Sequence, residues 1–324
     1  MNVTFVTCLL SFSSFLSNSS GFGCQSSNSP FLNVLSDYAN SNLQISETGT
    51  YPSSIGTISF SVLSHDGSYC GYLLRDAKTS EFIRAYLGDT DPRVAPDFSI
   101  DSLFMGNAAT PQFSLLPTRS TNHESDNFPA THGTSLYSWT GSGTDYKQYL
   151  WLENVPEYKW TYGCAPTAMT MYLSYIDRYC NYFEYLIPGL LPLTWEGDRN
   201  TTTVDSIIGE LAYDMNTDSF GNTKSNEMIA GAEEYIDERS LLRYDFQSSS
   251  SIAFLDQIIR ENHLPVVMLM ASIPGGKIDH AVLTYGMIYN PEENNPAFVC
   301  HSTWNHGACF FSADDMAIYY YLAE

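Results

Sequence analysis

The sequence predicts an α+β protein, with helices gathered ahead of a run of antiparallel strands in its second half. Three observations predict it. Apolar residues recur at helical spacing in four stretches between Cys164 and Ile259. From Pro265 onward, short apolar runs broken by turn residues replace them. Upstream, Thr57 to Leu87 alternates apolar and polar residues and adds further β structure.

In chain order, Thr57-Ile58-Ser59-Phe60-Ser61-Val62-Leu63 reads as a half-buried strand. His65-Asp66-Gly67-Ser68 then makes a tight turn, Tyr69 to Leu74 the partner strand, and Ile83 to Leu87 another. From 117 the composition shifts to Ser, Thr, Asn, His, Gly and Pro, as in a linker, and apolar content returns at Tyr149-Leu150-Trp151. After Cys164, the residues Ala168, Met171, Tyr172 and Tyr175 define an amphipathic helix. Val204, Ile207, Ile208 and Leu211 define the next, after a threonine run that caps it. Met228, Ile229, Ala232, Tyr235 and Ile236 define a third, capped by Ser225 or Asn226, and Ile252, Leu255, Ile258 and Ile259 a fourth, preceded by serines. Pro265 stops that helix, and Val266 to Met270 is a buried strand. Gly275-Gly276 turns the chain into a strand opening at His280, Phe298-Val299-Cys300 pairs with it, and Tyr319 to Tyr321 closes the fold.

The expected organisation is a signal peptide or lipoprotein-type anchor over 1–24, a β-rich N-terminal domain over 25–116, a polar linker over 117–145, and a main domain over 146–324. The apolar run Val3 to Leu16 has the length of a secretory h-region but no basic start, and it is too short to span a bilayer. The expected location is therefore secreted or cell-surface, with no integral membrane segment. Thirty-six acidic residues against 14 basic ones give a net charge of −22, which repels phosphate backbones and argues against nucleic-acid binding. None of the seven cysteines forms a CxxC pair, so no structural zinc is expected; Cys300 and Cys309 are candidates for a bridge in an exported protein, while Cys180 and Cys300 read at least equally as small buried hydrophobes. His301, Asn305 and His306 match no common metal-ligand spacing, and Asp89 and Asp91 read as turn residues. No metal or cofactor is expected.

The chemistry centres on Cys164. A thiol at a helix start meets unpaired N–H groups and a partial positive charge, which favour the thiolate. Gly163 permits the sharp entry, and Pro166 suits a first turn. Far downstream, Asp279-His280-Ala281-Val282 sets a histidine at the mouth of a buried strand.

Pro156-Glu157-Tyr158-Lys159-Trp160-Thr161-Tyr162-Gly163-Cys164-Ala165-Pro166-Thr167-Ala168 resembles the active-site signature of C39-like, papain-fold cysteine peptidases. Tyr175-Ile176-Asp177-Arg178, Leu211 to Met215, Thr217 to Thr223, Leu264-Pro265-Val266 and Asp279-His280-Ala281-Val282 continue the resemblance over about 150–324. It implies a papain-like fold, with the cysteine on the helical half and the histidine on the sheet half. It implies Cys164 as nucleophile and His280 as general base and acid, acting on a peptide or protein substrate.

Two positions depart from the family pattern. Tyr158 stands where papain-like enzymes carry an oxyanion-binding glutamine, leaving the Cys164 N–H as one donor. Ser302 stands where an Asp or Asn should orient the histidine, with Asn305 three positions on; both are candidates for that role. The residues also fit acyl transfer to an amine, as in transglutaminase-like enzymes, or an inactive binding protein. Gly71-Tyr72-Leu73-Leu74-Arg75-Asp76 resembles the pro-region of exported cysteine peptidases. The N-terminal domain therefore reads equally as an intramolecular inhibitor, making the chain a zymogen, or as a permanent accessory part.

Overall fold

The computed structural model describes residues 30–95, 98–105, 134–140, 146–180, 186–187, 191–195, 199–240, 244–289 and 296–322. The expected signal segment over 1–24 and most of the expected linker lie outside the described residues.

The first described part holds helix α1 (Pro30–Tyr38), strands β1 (Gln44–Ser53), β2 (Gly56–His65), β3 (Ser68–Asp76) and β4 (Phe82–Leu87), and helix α2 (Ile100–Met105). The β2–β3 turn is the one its residues dictate: Asp66 and Gly67 both take positive φ, 50° and 80°, matching the twist of a tight hairpin. Strands β5 (Thr134–Thr140) and β6 (Tyr146–Leu152) form a second hairpin, so part of the expected linker is a strand. The helical part follows with α3 (Cys164–Tyr179), α4 (Thr202–Asp214), α5 (Ser225–Asp237), strand β7 (Phe246–Ser249) and α6 (Ile252–Gln257). Strands β8 (Val266–Ala271), β9 (Ile278–Tyr289), β10 (Ala297–His301), β11 (Ala308–Ser312) and β12 (Met316–Leu322) complete the chain.

Local chemistry sets the helix limits. Thr201 accepts from the Val204 N–H and Ser251 from the Phe254 N–H, both as helix caps. Beyond α6, His263 ends the helical run at φ 56°, just ahead of Pro265. Neither expected cap serves α5, which starts at Ser225 after Lys224 with no side-chain cap. The helix α3 is buried on nearly every side rather than amphipathic, from Ala165 through Ile176. It packs against β9 and α4 as the central helix of the fold.

The described strands form one mixed-order antiparallel sheet, β1-β2-β3-β4-β11-β10-β9-β8-β12-β7, with the β5–β6 hairpin joined to β9 through β6. The sheet does not stop at the expected domain boundary. Four residue pairs, from Ala308↔Leu87 to Phe311↔Arg84, run between β11 and β4. Arg84 is buried in this seam. Its guanidinium donates to Ser272 O at 2.8 Å and to Leu103 O at 3.2 Å, and lies over the Phe311 ring at 4.2 Å. Cys300 and Cys309 stand opposite one another on β10 and β11 as free thiols. Among the described residues no helix is long and apolar enough to cross a membrane.

Candidate active site

Cys164 is the first residue of α3, and the chain enters through Gly163 at φ 153°. A Cβ at Gly163 would stand 2.7 Å from the Gly221 carbonyl oxygen, so glycine both makes the turn and admits the neighbouring loop. That loop is shaped by Asp218, whose carboxylate accepts from the N–H groups of Phe220 and Asn222 at 2.8 and 2.9 Å. On the other flank, Asn200 ties down the approach to the helix. It accepts from the Lys159 N–H at 2.9 Å and donates to the Lys159 carbonyl at 2.7 Å. Thr161 Oγ1 donates to Asp205 Oδ1 at 2.8 Å, fixing the same segment to α4. Asn200 and Asp205 carry no sequence signal that separates them from ordinary loop and helix residues.

The Cys164 sulfur faces β9. The backbone N–H groups of Ala281, Ala165 and Cys164 itself favour its thiolate. Burial nonetheless pushes the thiol up, outweighing those donors, and the charge of Asp279 adds to the rise. Burial thus works against the thiolate that the helix start and its N–H groups favour.

His280, 2 % exposed, is the next residue back along β9 from Ala281. Its Nε2 lies 2.9 Å from the main-chain carbonyl of Ser302. A carbonyl only accepts, so Nε2 carries the hydrogen and Nδ1 presents a lone pair. Nδ1 is buried and has no hydrogen-bond partner among the described residues. The Trp304 indole stacks on the ring with centroids 3.6 Å apart and an 18° tilt. Burial holds the imidazole down at about 3; the Arg84 charge adds to this and the Ser302 carbonyl opposes it. Both shifts favour the uncharged forms of the two side chains.

The acceptor behind the imidazole is thus neither of the expected side chains. The Ser302 hydroxyl instead accepts from the Asn305 N–H at 3.4 Å, and no described hydrogen bond joins the Asn305 side chain to His280. Thr303, buried and β-branched, takes φ 67° between them. That turn lets successive carbonyls serve two elements: Ser302 O holds His280, and Thr303 O accepts from the Trp160 N–H at 2.8 Å. Tyr158 does not replace the missing glutamine. It is fully buried, with its hydroxyl bonded to Ser174 Oγ at 3.0 Å and Pro192 O at 2.9 Å. Asp91 is a turn residue as expected, accepting from the Arg93 N–H at 3.0 Å. Residues 145–308 match the model of the Peptidase_C39 like family. No curated protein matches the chain.

Proposed function

This chain belongs to the Peptidase_C39 like family, and from that premise we propose that it is a papain-like cysteine peptidase working through Cys164 and His280. The observation that carries the reading is the tautomer of His280. With Nε2–H committed to Ser302 O, the unpartnered Nδ1 is the basic nitrogen, beside the residue whose N–H reaches the Cys164 sulfur. In the first step Nδ1 takes the thiol proton as the sulfur bonds to the substrate carbonyl carbon, and the carbonyl electrons move onto oxygen. The first-turn N–H of Cys164 is the donor available to that oxyanion. Collapse breaks the C–N bond, His280 returns its proton to the departing amine, and water then hydrolyses the thioester with His280 again as base. Proton transfer inside the catalytic cycle replaces a standing ion pair.

The substrate is a peptide or protein. Export stays with this reading because the apolar start at Val3 to Leu16 fits it. Of the two readings of 25–116, the permanent part is favoured over the removable inhibitor by the β4–β11 ladder and by Arg84 in the seam. The inward-turned Tyr158 side chain favours a second reading, an inactive binding protein, because it leaves the oxyanion without a side-chain donor. Incubating the full chain with a diverse peptide library decides between them. Cleavage that disappears in Cys164→Ser and His280→Ala supports the peptidase. Binding without cleavage supports the alternative, and new amide products on adding a primary amine support acyl transfer.

A further inference from the structure

Glu157 lies seven residues before Cys164, in the extended approach to α3, and its side chain is 9 % exposed. It does not face solvent or the cleft. Its carboxylate reaches into the β10–β11 loop, the loop that carries Ser302, Thr303 and Trp304. Oε2 accepts from His306 Nδ1 at 2.7 Å, and Oε1 accepts from the Gly307 N–H at 2.5 Å. His301 Nδ1 stands 3.7 Å from Oε1. The base of Glu157 is fixed in turn, since its own N–H donates to Leu193 O at 2.7 Å.

The loop it grips is one that needs gripping. Thr303 holds a backbone conformation that costs a β-branched residue energy, and its Oγ1 is buried with no partner among the described residues. Such a turn persists only where its surroundings hold it from more than one side. Here the holds are the Trp160 N–H on Thr303 O, the Tyr86 hydroxyl on His306 O at 2.5 Å, and the Glu157 carboxylate on His306 and Gly307. Two of these three come from the segment that ends in Cys164. The segment carrying the thiol is therefore tied to the loop whose Ser302 carbonyl sets the His280 tautomer.

We propose that Glu157 is a positioning residue for the Cys164–His280 pair, clamping the imidazole-orienting loop to the approach of the nucleophile. The proposal rests on the peptidase reading of those two residues. Glu157 does not touch substrate; it acts through Ser302 O and Thr303 O. Besides His301 and His306, the titratable groups that feel its charge are Tyr38, Tyr86, Tyr285 and Cys309, and Asp89 faces His306. His306 is raised by its bond to Glu157, against its own partial burial.

The test reads the thiol and not peptide turnover. Full-length protein is alkylated with iodoacetamide across a pH series, and Cys164 and Cys70 are quantified separately by peptide mass spectrometry. Cys70, partly exposed on β3, reports whether the fold survives. In Glu157→Gln the Cys164 rate is expected to fall about tenfold or more, because small misplacements of a reacting pair cost rate steeply. Below ~8.5 the wild-type rate should exceed that of an unassisted thiol, with His280 as base, and the variant should lose that excess while Cys70 is unchanged. Glu157→Asp should recover only part of the rate. Wild-type rate and profile in Glu157→Gln overturn the proposal. Should that variant fail to fold, His306→Ala decides, since His306 is half exposed. A selective fall at Cys164 supports the clamp, and an unchanged rate overturns it. A wild-type Cys164 that reacts no faster below ~8.5 than an unassisted thiol instead sinks the peptidase reading, and the clamp with it.

Discussion

The acid stability of this protein should carry the signature of one histidine. His280 is held at about 3 in the folded protein against an ordinary 6.5, because its charged form is disfavoured by burial. The unfolded chain therefore takes up a proton on this residue below about pH 6.5, while the folded protein does not until about pH 3. Proton uptake by the unfolded state favours unfolding, so the stability His280 permits is whole above its unfolded value and declines as pH falls. The slope approaches ~1.36 kcal/mol per pH unit once the unfolded histidine is protonated; with that residue half protonated at about pH 6.5, the loss is roughly 2.3 kcal/mol by about pH 4.5. Asp177 and Asp315, both raised to about 6 by burial, oppose that trend, since folded carboxyls that protonate early gain stability as pH falls. His301, also lowered by burial, adds to it. The variant His280→Gln removes one contribution and leaves the others. The assay is urea unfolding of wild type and His280→Gln at several pH values over that span, read as the difference between the two curves. The wild type should lose about 2.3 kcal/mol relative to the variant across the window. A flat difference would refute the claim that His280 is buried and neutral, and with it the resting state described for the site.

Four further outcomes follow from the geometry. Gly163→Ala forces a side chain against the Gly221 carbonyl at a strained φ, and should cost roughly 1–3 kcal/mol in urea unfolding while slowing Cys164 alkylation. Ser302→Ala and Asn305→Ala should each change peptide turnover by less than about threefold, because the main-chain carbonyl at 302 survives both. Ser302→Asp, which restores the family residue, should lower the melting temperature instead, since position 302 is 1 % exposed and a carboxylate there lacks a charged partner. A chain begun at Tyr146 bares the β11 edge and the Phe310 and Phe311 faces; it should precipitate or unfold on size-exclusion chromatography rather than gain activity.

Periodicity carried the helices and most of the sheet, because burial of one face is written directly into residue order. It failed where side chains do not report the contact. Strand β1, with its mostly exposed pattern and interruptions at Gly49 and Pro52, shows no clean alternation, yet it pairs along β2 from Gln44 to Ser53. The joining of β4 to β11 is a long-range backbone pairing that neither strand announces. The helix start at Cys164 and the strand of His280 were legible because Gly163, Pro166 and Gly275-Gly276 punctuate the chain there. The orienting group was not legible, since the acceptor is a carbonyl that every residue possesses. Glu157 lay inside the quoted motif, but its role depends on a loop 149 residues away at His306.

The indole of Trp304 has a second consequence for the His280 ring it covers. An aromatic face is electron-rich at its centre and attracts a cation lying over it, by ~0.5–2 kcal/mol depending on how dry the contact is. On the peptidase reading, the same ring that covers a neutral imidazole thus offers a seat to the imidazolium formed when the thiol gives up its proton. A charge that appears only in mid-reaction meets a surface already laid against it. Leucine at this position would keep the ring dry and leave the transient cation with nothing to rest on.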